Sequence, residues 1–302
     1  MDELTTPKLP KRIAKLDELA HNLWWSWCIP ARNLYKSLDR PLWKLTGHNP
    51  VKLLQQIEPY RLVAAAEEPD FVSSYDKVMS SLAKTMSAAD TWFSREYPHL
   101  VQKPVAYFSL EFAIHNSLPL YAGGLGVLAG DYCKEASDLG IPMVGVGFMY
   151  PQGYVHQHIN DDGWQEDMYE QLDFNAAPIS LARSTGGEPI KIKVPLDDKS
   201  IHVAVWQAKV GNVTLFLLDT NVEENEHQDR ELSARLYAGD REMRLAQEIL
   251  LGIGGVRVLR ALEIEPVVWH ANEGHTAFMM LERTRELVEK GMTFEQAAAK
   301  VR

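Results

Sequence analysis

Strand, acidic residue, glycine-rich turn, helix and second strand follow one another between Val105 and Tyr150. No other feature constrains the fold of this chain as much. Val105-Ala-Tyr-Phe-Ser-Leu110 is an apolar run that leads into Glu111. Leu118-Pro-Leu-Tyr-Ala-Gly-Gly-Leu-Gly-Val-Leu-Ala-Gly-Asp131 follows, with Gly123, Gly124 and Gly126 just ahead of a helical pattern. From about Gly126 to Leu139 the residues Leu125, Leu128, Ala129, Tyr132, Ala136 and Leu139 form an apolar stripe. Asp131, Lys134, Glu135 and Asp138 take the other face, and Gly140 closes the helix. Pro142–Tyr150 then reads as a buried strand. Two strands joined through a helix within fifty residues make a βαβ unit, so they must run parallel. A ligand site in such a unit lies at the carboxyl ends of the strands. Glycines at a helix start let a backbone approach a ligand and aim free N–H groups at it. Taken alone, they serve a tight turn without a ligand equally well.

Around this unit the chain reads as a helical region before it and a mixed region after it. Pro10 to Cys28 carries Ile13, Leu16, Leu19, Ala20, Leu23 and Trp24 at helical spacing, so one helix is expected there. It ends in Leu23-Trp-Trp-Ser-Trp27. Trp24, Trp25 and Trp27 cannot all face one core. They form either a wedge between two structural units, the reading preferred here, or an aromatic platform for a sugar. Short segments with Pro41, Pro50 and Pro59 come next, then a helical stretch from Pro69 to Trp92. Residues 1–100 are therefore expected as a helical N-terminal extension and 101–302 as an α/β domain, with the seam at Tyr97-Pro98 and Lys103-Pro104.

Past the βαβ unit, His156 and His158 alternate as on a strand; two polar residues beside a cleft explain them better than a metal site lacking a third ligand. Ile190–Leu196, Ile201–Val210 and Val213–Leu218 alternate as strands and predict an antiparallel β insertion, a lid or edge feature. A long helical zone runs from Gln228 to Leu262, broken near Gly239 and softened at Gly252, Gly254 and Gly255. Pro266–Trp269 is expected as a short buried strand. It leads into His270-Ala-Asn272-Glu273-Gly274-His275, a second strand-to-helix turn loaded with polar groups. A helix over Ala277–Glu289 follows. Thr293 and Gln296 stand at capping-box spacing. The helix they open reaches Arg302 without a closing signal, and a fragment of a longer protein is expected.

Composition narrows the function. The formal charge of −10, without a block of like charge, argues against nucleic acid and anionic membranes as partners. Cys28 and Cys133 are isolated, so a reducing, cytoplasmic setting is the default. Met1–Lys8 has no apolar signal core. The best candidate for a membrane span, Ile249–Leu262, carries Arg257 and Arg260 and falls short of the ~20 residues that span a bilayer.

Several ordered motifs resemble the α-glucan (glycogen/maltodextrin) phosphorylase family in its shorter bacterial and archaeal branch. They are Tyr107-Phe-Ser-Leu-Glu111-Phe, the glycine loop Leu118–Asp131, and Ser137-Asp-Leu-Gly-Ile-Pro-Met-Val-Gly-Val-Gly147. Gly163-Trp-Gln165, Arg244-Leu-Ala-Gln-Glu248 and His270-Ala-Asn-Glu-Gly-His-Thr-Ala-Phe278 agree in type and order. Leu19–Trp27 and Gly47-His-Asn-Pro50 are similar to the N-terminal extension of that branch. The resemblance covers nearly the whole chain. It implies the N-terminal Rossmann-like domain of a GT-B glycosyltransferase fold. It implies phosphorolysis of α-1,4-glucan to glucose 1-phosphate and a shortened glucan, with retention, and pyridoxal phosphate as cofactor. The cofactor lysine and the basic residues that grip the phosphate belong to a C-terminal domain, and no such motif occurs here. An N-terminal portion alone is expected to be inactive. Glucan, inorganic phosphate and glucose 1-phosphate are the implied partners, and homo-oligomerisation is left open. On this resemblance Gly123, Gly124, Leu125 and Gly126 offer N–H groups to phosphate, and Glu111 orients their loop. Glu273 and His275 hydrogen-bond the sugar hydroxyls, and Asn272 holds their turn. Ala122 and Ala113 depart from the longer phosphorylases, whose allosteric sites are not carried over. Glycogen and starch synthases place a lysine where Tyr121 stands, which favours a phosphorylase. A non-catalytic glucan-binding module is the reading from another class. A dinucleotide-binding dehydrogenase fits Gly124, Gly126 and Ala129 but lacks the acidic residue at the next strand end.

Overall fold

Prolines divide the first hundred residues. In the computed structural model, which describes residues 9–237 and 239–302, helices α2 (Ile29–Leu38), α3 (Arg40–Leu45), α4 (Pro50–Gln56), α5 (Pro59–Glu67) and α6 (Pro69–Ser87) each carry a proline in their first two positions. Proline lacks the N–H that a first helical turn leaves unpaired, so it starts helices cleanly. Ahead of them lies α1 (Leu16–Ala20), and after them α7 (Trp92–Glu96). Met1–Lys8, read above as lacking a signal core, and Ala238 fall outside the described residues.

The single helix expected from Pro10 to Cys28 is broken into short turns around α1. Asn22 is the reason. Its Oδ1 accepts the N–H groups of Trp24 and Gly211 at 3.0 and 2.8 Å, and its Nδ2 donates to the Gly211 carbonyl at 3.1 Å. A side chain that pairs with both groups of a distant peptide holds the chain out of a helix. The tryptophans after it form a wedge. Trp25, 1% exposed, lies 5.9 Å from Trp43 and 4.6 Å from His115, ring to ring, and Trp27 Nε1 donates to Asp138 at 3.1 Å. Trp24 and Trp25 are buried and present no open face to a sugar, while Trp27 is half-buried.

The α/β part contains the expected parallel unit. Strand β1 (Val105–Phe108) is followed by the hairpin β2 (Phe112–His115) and β3 (Leu118–Leu120), by helix α8 (Gly124–Leu139), and by β4 (Met143–Phe148) parallel to β1. Gly140 caps α8 at φ 75°. The hairpin β5 (His156–Ile159) and β6 (Gln165–Met168) is exposed on both faces. Then come β7 (Ile179–Leu181), β8 (Lys191–Leu196), β9 (Lys199–Val210) and β10 (Val213–Asp219). The β insertion is not a lid. Fully buried β10 pairs parallel with β4, and β9 continues the same sheet antiparallel, with β7 and β8 on its far side.

The helical zone resolves into α9 (His227–Arg230), α10 (Arg241–Ile249), a π-helical turn at Leu250–Gly254, and α11 (Gly255–Ala261). Helix α12 (Phe278–Glu289) packs on that turn, and Arg257 pairs there with Glu282 at 2.8 Å. Strand β11 (Val268–Ala271) closes the order β11-β1-β4-β10-β9-β7. It is an edge strand with half-exposed side chains, not the buried strand expected, because β1 is its one neighbour. Helix α13 (Phe294–Val301) starts with both capping-box hydrogen bonds, from Thr293 and Gln296. No helix among the described residues is long and apolar enough to cross a membrane.

The buried face of α8 is also not the predicted stripe. Gly126, Ala129, Gly130, Cys133, Ala136 and Ser137 face inward, while Leu128 and Tyr132 stand half exposed. A Cβ on Gly130 would lie 2.1 Å from the Ala113 carbonyl oxygen in β2. Close approach of backbone to backbone selects the small residues and turns the large ones out.

His115 yields a pH prediction. Burial, with the nearby charges of His48, Arg32 and Lys134, pushes its imidazole down to about 4. Nδ1 lies 3.0 Å from the Ser117 backbone N–H, which donates to it. With a depressed pKa the folded state favours neutral His115. Its contribution is complete above pH ~6.5 and is lost as the pH falls towards 4. Urea unfolding at pH 7 and pH 5 should show a loss on the order of 2 kcal/mol that shrinks in His115→Gln. An equal loss in both proteins would remove His115 as its source.

Candidate functional site

The carboxyl ends of β1 and β11 meet at Ser109. Its buried Oγ donates to the Glu111 carbonyl at 2.9 Å and accepts the Glu111 N–H at 3.3 Å and Asn272 Nδ2 at 3.0 Å. One hydroxyl thereby uses its donor and both acceptor positions. The Asn272 N–H donates to the Phe108 carbonyl at 3.0 Å, so the second turn is anchored by backbone as well. Tyr107 and His270, paired across β1 and β11, stack ring on ring at 4.5 Å.

Glu111 is 2% exposed. Its Oε2 accepts the N–H groups of Ala122 and Gly123 at 2.8 and 3.0 Å, and its Oε1 accepts the Tyr237 hydroxyl. Three donors satisfy a buried carboxylate that forms no ion pair among the described residues. Burial raises the Tyr237 phenol well above its ordinary range, and the hydrogen bond to Glu111 adds to the shift. The Tyr237 ring centroid lies 6.1 Å from that of His275, so it bridges the glycine loop and the second turn.

The loop itself divides into two parts. A Cβ on Gly126 would lie 2.6 Å from Tyr121 Cβ and 2.8 Å from Glu111 Oε2, so only glycine fits under the carboxylate. At Gly123 and Gly124 a Cβ would meet nothing within 4 Å, so the backbone there is open to a ligand. The Gly123 N–H, expected to serve phosphate, is held by Glu111. The N–H groups of Gly124, Leu125 and Gly126 remain, in the first turn of a 16-residue helix where no intrahelical acceptor exists.

The second turn stores strain. Glu273 sits at φ 68°, ψ 172°, a conformation rare for any residue but glycine. Thr276 Oγ1 donates to the Glu273 carbonyl at 3.1 Å and braces it. The Glu273 side chain is exposed, and the buried His275 Nδ1 has no protein partner. The structure thus links Glu111, Gly123, Asn272 and His275 through Ser109 and Tyr237, and leaves Glu273 free at the rim. Ser109 stands inside a motif recognised in the sequence but reads there as a strand residue. Tyr237 carried no signal, being one aromatic in a stretch read as helix. His156 and His158 lie exposed on β5, opposite Met168 and Glu166, and no group of three or more metal-ligating side chains occurs among the described residues.

Fold and site define an α/β protein whose polar site lies at the carboxyl ends of parallel strands, beside a helix N-terminus suited to an anion. Comparison with known proteins narrows this. A family model described as "Protein of unknown function (DUF3417)" matches residues 9–118. A glycogen phosphorylase of Mycobacterium tuberculosis is 42% identical over 97% of the chain, and one of Aquifex aeolicus is 43% identical over 94%. A maltodextrin phosphorylase of Thermococcus litoralis is 41% identical over 98%. The chain belongs with the glycogen and maltodextrin phosphorylases, as the counterpart of an N-terminal third. It spans only 35–40% of the length of these relatives.

The Glu111 cluster is directly testable. Glu111→Gln leaves at least one donor facing an amide N–H₂ and is expected to cost about 2–4 kcal/mol in urea unfolding; Tyr237→Phe, which removes one hydrogen bond, should cost about 1 kcal/mol. Hydrogen exchange at the Ala122 and Gly123 amides should accelerate in Glu111→Gln. Unchanged protection there would mean that Glu111 does not hold the loop.

Proposed function

We propose that this chain forms the N-terminal, glucan-facing part of an α-1,4-glucan phosphorylase, within the Rossmann-like domain of a GT-B fold. The reaction transfers a terminal glucosyl unit to phosphate with retention, giving glucose 1-phosphate. The observation that carries this reading is the glycine loop, locked by Glu111 and joined to the Asn272–His275 turn through Tyr237. Phosphorolysis develops positive charge on the sugar beside a phosphate, and needs fixed dipoles and donors more than a proton-transfer pair. The N–H groups of Gly124 and Leu125 suit the phosphate, while Gly126 lies buried beneath Glu111. Glu273 and His275 suit the sugar hydroxyls, with Asn272 holding their turn. Both oxygens of Glu111 are engaged by protein donors, so it orients the loop and does not act as one of the two opposed carboxyls of a hydrolase. Tyr121 in place of a lysine sets the loop apart from a synthase.

The family implies pyridoxal phosphate, but the residues gathered here do not fit it. Among the described residues, no hydrogen bond or ion pair made by Ser109, Glu111, Tyr237 or Asn272 involves a lysine. The proposal assigns the cofactor and the basic phosphate grip to the part of the relatives that this chain does not match.

Incubated alone with maltoheptaose, phosphate and pyridoxal phosphate, the protein should release no glucose 1-phosphate. Supplemented with the separately expressed remaining part of a full-length relative, it should do so. Glu273→Ala should then lower the rate on the order of a hundredfold, the scale for losing one preorganised polar contact. Turnover by the chain alone would overturn its dependence on a second part. Phosphate-independent release of free sugar would overturn phosphorolysis, and an unaffected rate in the variant would remove Glu273 from the site.

A further inference from the structure

The motif Arg244-Leu-Ala-Gln-Glu248 supplies no group to the site described above, yet its one buried polar side chain reaches the stretch that carries Tyr237. Gln247, in α10, is 2% exposed. Its Nε2 donates to the Leu232 carbonyl at 2.9 Å and to the Arg235 carbonyl at 3.1 Å. Arg235 stands two residues before Tyr237. Apart from one turn at Glu231–Ser233, the chain from there to Tyr237 forms neither helix nor strand. It needs support from outside. Tyr237 has φ 56°, in the left-handed region that residues with a bulky side chain seldom adopt. Such a conformation persists only where its surroundings fix it. One side of the stretch rests on the turn after β4. The Gln152 N–H donates to the Ala234 carbonyl and the Leu236 N–H to the Gly153 carbonyl, each at 3.0 Å, and Arg235 Nε donates to Gln152 Oε1. Gln247 clamps it from α10.

The contact selects glutamine by its chemistry. Two carbonyl oxygens face one side-chain nitrogen, so that nitrogen must carry two protons. A primary amide does so without a charge. Lysine or arginine would donate only by bringing a cation into a buried place, and glutamate would turn lone pairs on both carbonyls. Arg244, one turn earlier in the same helix, lies over the Tyr237 ring at 5.9 Å. Two residues of the motif therefore bear on Tyr237, one through the backbone before it and one through its ring.

We propose that Gln247 is a positioning residue for the glycine loop. By holding the Leu232 and Arg235 carbonyls it keeps the Tyr237 hydroxyl on Glu111, and Glu111 in turn on the Ala122 and Gly123 N–H groups. It acts through Tyr237, since none of its hydrogen bonds among the described residues goes to Glu111 or to the loop. The clamp stands on this geometry alone; its effect on turnover rests on the phosphorylase reading.

Gln247→Met keeps the length of the side chain and removes both donors. The test uses the 302-residue protein with its tyrosines carbon-13 labelled at Cζ, and Tyr237→Phe to assign the Tyr237 signal. In the parent protein this phenol should stay protonated through pH ~10, and in Gln247→Met it should titrate close to that ordinary value. Amide exchange at Ala122 and Gly123 should accelerate about tenfold in the same variant, ahead of the rest of the sheet. A folded variant with the Tyr237 titration and both exchange rates unchanged overturns the proposal. Coupling between two contacts is reciprocal, so the milder Tyr237→Phe should speed exchange of the Gln247 side-chain amide by the same factor. An unchanged rate there overturns the proposal even where Gln247→Met does not fold. Joined by the separately expressed remaining part of a full-length relative, Gln247→Met should lower kcat about tenfold and leave the KM for maltoheptaose within about twofold. Full turnover alongside the altered Tyr237 signal would overturn the phosphorylase use of the loop and leave the clamp standing.

Discussion

Glu111 lies buried at the end of the first parallel strand with three protein donors on its two oxygens and no ion pair among the described residues. A charge in that position is tolerated only while the donors stay in place. The dependence runs in both directions. The carboxylate fixes the backbone of Ala122 and Gly123, and through it the start of α8. The donors must come from a loop and a tyrosine far apart in the chain, so they are present only when the whole α/β unit has folded. The Tyr237 hydroxyl extends the same constraint towards His275, and the Ser109 hydroxyl extends it to Asn272.

The small residues of α8 make this geometry attainable. Gly130 lets the helix backbone reach the Ala113 carbonyl, and Gly126 lets it pass beneath the Glu111 carboxylate. A larger residue at either position would lift the helix off the β2–β3 hairpin and carry the loop away from its acceptor. The N-terminal helices contribute at a second level. Asn22 grips the β9–β10 turn, Trp25 packs on His115, and Asn49 reaches the Ala176 carbonyl. These contacts attach the helical unit to the α/β part at the β9–β10 turn, at β2 and just before β7.

The parallel strands β1 and β4, the helix between them, its Gly140 cap and both polar turns were legible because each is written in local pattern. A strand followed by a glycine turn, or Thr293 three residues before Gln296, is specified by neighbours in the chain. Errors arose where a distant contact decided. The helix from Pro10 to Cys28 breaks because Asn22 prefers the peptide at Gly211. The stripe through Leu128 and Tyr132 turns outward because the Ala113 backbone of β2 needs Gly130 on its side and Glu111 and Tyr121 need Gly126. Strand β10 joins the parallel core because β4 offers it a free edge, although local pattern links it only to β9.

Sequence by itself determined the class of fold, the membership shared with phosphorylases and the residue types of the candidate site, since each is carried by short ordered motifs. Tertiary structure alone decided which groups meet. That Ser109 joins the two turns and that Tyr237 completes the shell of Glu111 are facts of placement across more than a hundred residues, and the Gly123 N–H is spent on a carboxylate beyond the hairpin before it. A hydrogen bond between such partners leaves no periodicity in the chain, because it is fixed by the packing of helix on hairpin and strand on strand.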